Sequence, residues 1–170
     1  TLIFVNYYVK IKQVKYMIRI GEPVKKNVKY YYRPGIYGII KVNDNILLTE
    51  QNEKEIQLPG GGIDKGEHYI TALVREVYEE TGWKIQPINR LGFFHRFVYM
   101  PEYSKWAQKV CHIYLCKGLY NLTSPLEKGH KAILMKPRDS ILFLESPGDR
   151  IFVKNYFGLN LFYLNGGSIF

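Results

Sequence analysis

The amino-acid sequence predicts an α/β domain, a mixed β-sheet with helices on both of its faces. Three observations carry that prediction. Up to Leu58, tyrosine and β-branched residues gather in short runs separated by turn residues. From Glu67 to Thr81 the pattern switches to helical periodicity. Further strand-like runs follow, and two helix-like segments close the chain after Pro137 and after Pro147-Gly148.

In order, Lys29–Val42 reads as strand, turn, strand, broken at Pro34-Gly35. Asn43-Asp44-Asn45 is a turn, and Ile46–Thr49 returns as the other arm of a hairpin. Glu55–Leu58 is a short extended piece that Pro59 terminates. Gly60, Gly61 and Gly62 follow as a loop. Within Glu67–Thr81, Ile70, Leu73, Val74 and Val77 mark one buried face of a helix, which Gly82 stops as a cap. Ile85–Met100 reads as strands around Gly92 that end at Pro101. Val110–Cys116 alternates as a strand, and Ile133–Met135 is a further one. Helices are expected from Pro137 to about Glu145 and from Asp149 to Phe157.

At 170 residues, 46% hydrophobic and 23% charged, the chain is long enough for one domain with its own core. No apolar run reaches the roughly 18 residues that a membrane span needs. The net charge of +9 is uneven, because eight cations against Glu22 put +7 into residues 1–33. That basic lead could touch RNA or an anionic surface weakly, or simply be solvated. The chain begins at Thr1, and Met17 is a candidate start. Residues 1–16 are therefore read as an extension, 17–160 as the domain and 161–170 as a tail, and the first residues are not read as a signal peptide. Cys111 and Cys116 are five apart, on opposite faces of a strand, so they are expected to be reduced in a cytoplasmic protein.

The chemistry concentrates in LPGGGIDKGEHYITALVREVYEETGW, from Leu58 to Trp83. Glu76, Glu79 and Glu80 are separated by one, three and four positions, which stacks them on a helix flank distinct from that of Leu73 and Val77. Such crowded carboxylates repel unless a hard cation holds them. Mg²⁺ fits, with Mn²⁺ as the alternative, since both take oxygen ligands. Arg75 lies four residues before Glu79 and can fix a carboxylate in one rotamer. Gly60, Gly61 and Gly62 allow close backbone approach, with amides that could meet phosphate. Glu67, at the helix start, could cap amides, bind Arg75 or hold a metal-bound water.

Residues Gly61 to Trp83 match the pattern Gx5Ex7REUxEExGU, with U bulky and apolar. Gly61, Glu67, Arg75, Glu76, Glu79, Glu80 and Gly82 fill the fixed positions, and Val77 and Trp83 the apolar ones. In this the chain resembles the Nudix hydrolases. The resemblance implies an α/β/α sandwich and Mg²⁺-dependent hydrolysis of a nucleoside diphosphate linked to another group. It also implies Glu76, Glu79 and Glu80 as metal ligands, Glu67 in support and Arg75 orienting a glutamate. A further base or ligand is expected from a loop outside the motif. Glu102 and Glu127 are the candidates, with Glu145 behind them.

Substrate does not follow from that motif. A free (d)NTP cleaved to monophosphate and pyrophosphate is the first reading. A dinucleoside polyphosphate or an RNA 5′ end is the alternative, and a non-catalytic nucleotide-binding module is a different class again. Tyr32, Arg33 and Tyr37 are candidates for the nucleoside side. His68, His95, His112 and His130 form no ligand pattern and are read as ordinary polar histidines. Phe93, Phe94, Trp83 and Trp106 are either base platforms or core.

Overall fold

The computed structural model describes residues 18–21 and 23–159. The expected N-terminal extension and C-terminal tail lie outside them. The elements are β1 (Ile18–Ile20), β2 (Tyr31–Val42), β3 (Asn45–Gln51), β4 (Glu55–Gln57), β5 (Gly60–Gly62), α1 (Tyr69–Thr81), β6 (Trp83–Met100), β7 (Lys105–Asn121), β8 (His130–Met135), α2 (Pro137–Phe143) and α3 (Pro147–Phe157). A 3₁₀ turn, Pro101–Tyr103, joins β6 to β7.

The sheet runs β1-β6-β7-β2-β3-β4, with β5 added to β2 and β8 to β3. It is mixed as expected, with β1–β6 and β2–β7 parallel and the other pairs antiparallel. Residues of alternate parity feed two cores. Ile36, Ile40, Leu47 and Cys116 pack under Ala72, Leu73 and Val77 of α1. On the opposite face Ile39, Phe94, Cys111 and Ile113 pack under Ile141 of α2, Leu144 just after it and Val153 of α3. The result is an α/β/α sandwich, and both cysteines are free and buried, one in each core.

Three local expectations need correction. Strand β2 is unbroken through Pro34-Gly35. The Pro34 carbonyl accepts from the Ile63 amide, so the N–H that proline lacks would have faced that same edge, at the end of the short β5 ladder. The glycine triplet is a strand, not a loop: Gly60, Gly61 and Gly62 pair with Tyr37, Ile36 and Gly35. Helix α1 starts at Tyr69 rather than Glu67, because His68 is its N-cap and accepts from the Ile70 amide through Nδ1. Its end is as read, with Gly82 left-handed at φ 72°.

This topology opens a cleft. The same edge of β2 serves β5 over Gly35–Tyr37 and β3 over Ile40–Val42. At the changeover the Gly38 amide donates to the Pro59 carbonyl. A cleft of about 340 Å³ is lined by β5, by Gln51, Glu55 and Gln57 of β3 and β4, and by Glu80.

Candidate active site

Helix α1 carries the carboxylates, and Arg75 organises them. Its Nε and Nη2 donate to both oxygens of Glu67 at 2.9 and 2.8 Å, a bidentate pair. Nη1 donates to Glu76 at 2.9 Å and to Glu79 at 3.2 Å, and Nη2 also reaches the Gly62 carbonyl at 3.2 Å. Glu67 takes the Arg75 option among its expected roles and also accepts from the Asp64 amide. These bonds hold its carboxyl down at about 2. The guanidinium is in turn held charged more firmly than usual by Glu67.

Glu80 is the deepest of the three helix carboxylates. It stays beside Glu76, the two meeting the adjacent Gly60 and Gly61, but is far more buried, only 4% exposed. The reason is a seat built for it. The Gly60 amide donates to one oxygen at 3.0 Å and the Gln51 amide to the other at 3.1 Å. Burial nonetheless pushes its carboxyl up to about 8, and burial also raises Glu76. A divalent cation beside them would reverse both directions.

The glycines make these approaches possible, each differently. Gly60 sits at φ 141°, and a Cβ there would run into the backbone of Ile36 and Tyr37. A Cβ on Gly61 would land on the Glu76 carboxylate. All three glycines line the cleft, but the Gly60 amide is already taken by Glu80.

A residue from beyond the helix completes the cluster. The last turn of α1 leaves carbonyls without helical partners. The Leu126 and Glu127 amides both donate to the Glu79 carbonyl, at 2.7 and 3.1 Å, while Asn121 reaches the Thr81 carbonyl. That capping sets Glu127 over the helix. Ligand atoms of Glu76, Glu79 and Glu127 lie within 4.8 Å of one another, as do those of Glu80, Glu127 and His130. Glu127 belongs to both groups. Of the candidates outside the motif, Glu145 is exposed and belongs to neither, and the Glu102 side chain lies outside the described set.

His130 was missed by sequence reasoning. Its Nε2 lies 3.5 Å from Glu80 and 3.3 Å from Glu127, and both ring nitrogens are buried without a hydrogen-bond partner. The β3–β8 register puts it opposite Gln51, the residue that holds Glu80. Among the nucleoside-side candidates, Arg33 and Tyr37 line the cleft and Tyr32 does not. Phe94 is core, Trp83 packs under α1, and Phe93 and Trp106 contact other side chains away from the cleft lining.

The donor set fits a hard divalent cation. Arg75 gathers the carboxylates of Glu67, Glu76 and Glu79, Glu127 stands beside the last two, and the His130 imidazole faces Glu80 and Glu127.

Comparison with known proteins agrees with this geometry. The NUDIX domain model matches residues 32–156, most of the chain. The chain belongs to the NUDIX family. Over 124 residues the domain is 27% identical to the methanol dehydrogenase activator of Bacillus methanolicus, covering 69% of this chain and 63% of that protein. It is 35% identical over 88 residues to an RNA pyrophosphohydrolase of Pelagibacter ubique, covering 41% of this chain and 56% of that one. The matched stretch thus spans less than two thirds of either relative's own length. A NUDIX hydrolase structure from Nitrosomonas europaea superposes with a TM-score of 0.62 at 20% identity, over 75% of this chain and 90% of that one. The NUDIX domain therefore has the family's fold. Among the described residues, no helix is long and apolar enough to cross a membrane.

Proposed function

We infer that this NUDIX domain is a divalent-metal-dependent pyrophosphohydrolase. Its substrate is a nucleoside 5′-triphosphate group, cleaved to the 5′-monophosphate and pyrophosphate. The observation that carries the reading is the convergence of Glu76, Glu79, Glu80 and Glu127 beside a cleft lined by Gly60–Gly62. Mg²⁺ or Mn²⁺ held by these carboxylates would neutralise phosphate charge and help orient the attacking water. The protein's own part is positional. Arg75 locks Glu67, Glu76 and Glu79 in single rotamers, and Gly60 and Gln51 do the same for Glu80. Water adds to phosphorus, the P–O anhydride bond breaks, and pyrophosphate leaves. Glu127, partly exposed and shared by both carboxylate groups, is placed to accept the proton of that water.

The cleft volume lies at the small end for ligand sites, which suits one nucleotide better than two. A free (d)NTP is accordingly favoured over a dinucleoside polyphosphate. The RNA 5′ end is the second reading, favoured by the cations Arg33 and Lys109 in the cleft lining. A cytoplasmic setting belongs to the same proposal and is supported by the two unpaired cysteines.

The test is pyrophosphate release from a panel of dNTPs, dinucleoside polyphosphates and triphosphorylated RNA with Mg²⁺. Glu79→Gln is expected to lower the rate about 100-fold. No release from any substrate would favour a non-catalytic binding module. Unchanged release by Glu79→Gln would move the chemistry away from this cluster.

A further inference from the structure

Three cations stand side by side on the sheet face opposite α1. Arg33 on β2 is in register with Lys109 on β7, and Lys109 with Arg96 on β6. Two positions along, Cys111 and Phe94 point into the core under α2 and α3, which fixes the face. All three cations are half-buried. Like charges at paired positions of neighbouring strands repel, yet among the described residues none of the three makes an ion pair. The acid that feels Lys109 and Arg96 is Asp149, whose carboxyl burial raises to about 6 and whose oxygens engage the Leu58 amide and the Ser146 hydroxyl. One such group does not balance three cations.

The row begins inside the cleft and leads out of it. Glu80 holds the Gly60 amide, and a Cβ on Gly62 would come within 2.9 Å of the Arg33 Nη2. From Gly60 to Gly62 is about 7 Å of strand, and Lys109 and Arg96 continue the row sideways by about 5 Å per strand. On the pyrophosphohydrolase reading, the phosphate chain being cleaved would occupy the near end of this track. The far cations need an anion of their own.

We propose that Arg33, Lys109 and Arg96 form a second anion subsite for a phosphate on the sugar side of the substrate. A nucleoside separates that phosphate from the scissile anhydride. It is the 3′-phosphate of a nucleotide or the first phosphodiester of an oligonucleotide. The Tyr103 ring, 5.4 Å from the Arg33 guanidinium carbon and itself in the cleft lining, offers the intervening nucleoside a flat face. The subsite rests on the pyrophosphohydrolase reading only for the direction in which the substrate lies, and a free (d)NTP, which has no sugar-side phosphate, would leave it empty.

Binding tests it apart from turnover. Calorimetry compares a nucleoside 3′,5′-bisphosphate with the 5′-monophosphate on the wild type, Lys109→Gln and Arg96→Gln. The bisphosphate is expected to bind the wild type about tenfold more tightly, about the worth of one charge-assisted hydrogen bond. Each substitution should lower that ratio toward one. Equal affinity of the wild type for the two ligands overturns the subsite, and so does a ratio unchanged in both variants. Pyrophosphate release then separates the two sources. Equal gains for a 3′-phosphorylated nucleoside triphosphate and a triphosphorylated trinucleotide assign the site to a terminal phosphate, and a larger gain for the trinucleotide assigns it to RNA. Bisphosphate preference without any turnover would count against the hydrolase and leave the subsite standing.

Discussion

Gly61→Ala separates the fold from the chemistry. The new Cβ would occupy the space of the Glu76 carboxylate. That carboxylate is the free end of a flexible side chain, so it can swing away and the backbone need not move. Gly61 is not among the residues with positive φ, so alanine is conformationally acceptable there. The fold loses the Arg75–Glu76 hydrogen bond, worth about 1.5–3 kcal/mol. Relief of repulsion among the carboxylates and about 0.4–1 kcal/mol of unfolded-state entropy offset part of that. A net cost of about 1 kcal/mol is expected in urea unfolding. Activity is another matter, because a displacement of about 1 Å costs on the order of 100-fold in rate. That corresponds to about 2.7 kcal/mol of transition-state stabilisation. Steady-state pyrophosphate release at saturating Mg²⁺ should therefore fall about 100-fold in kcat while the urea midpoint drops by only about 0.3–1 M. A variant that keeps kcat close to that of the wild type would refute the claim that Gly61 exists to seat Glu76.

Two further outcomes follow from buried groups. His130→Gln removes a nitrogen donor beside Glu80 and Glu127, and imidazole suits later transition metals better than Mg²⁺. Co²⁺-supported activity should fall about fivefold more than Mg²⁺-supported activity, and equal losses with both metals would reduce His130 to packing. Asp149 is held up from 3.8 to about 6 by burial, so the folded protein binds the extra proton between those values. Its contribution to stability is full below about pH 4 and is lost as pH rises through about 6, about 3 kcal/mol in all. Asp149→Asn should gain most of that difference relative to the wild type between pH 4 and 7.5 in urea unfolding. A parallel pair of pH profiles would disprove the assignment.

Local signals in the sequence located the elements because each depends on neighbours along the chain. The period of Ile70, Leu73 and Val77, the cap at Gly82 and the hairpin at Asn43–Asn45 all reappear in the structure. Where the reading failed, a distant partner decided. Pro34 stays inside a strand because the edge it disarms runs out there, and the glycine triplet is extended because β2 offers it an edge. Helical spacing grouped Glu80 with Glu76 and Glu79, but its burial comes from the Gly60 amide and Gln51, which spacing does not reveal. The expected short strand at Val110–Cys116 runs from Lys105 to Asn121, since β6 pairs with it throughout. His130 carried no signal, because nothing local announces that β8 will pair with β3 in the register that brings it to Glu80.

Glu127 shows how closely the site depends on the fold. Its polar loop makes it a candidate, but no motif around it singles it out from Glu102. Its position follows from how α1 ends. The Glu79 backbone carbonyl needs donors at the helix terminus, and the amides of Leu126 and Glu127 supply them. The Glu79 side chain meanwhile joins Glu76 and Glu127 in one of the two candidate ligand groups. One residue thus anchors the loop through its backbone and meets that loop's carboxylate through its side chain. The loop cannot slip by a residue without uncapping the helix, and the helix cannot fray without withdrawing Glu127. Cation binding at these carboxylates should therefore tighten the last turn of α1 and the loop together. The arrangement makes helix capping, usually a matter of stability alone, part of how the NUDIX site is held in shape.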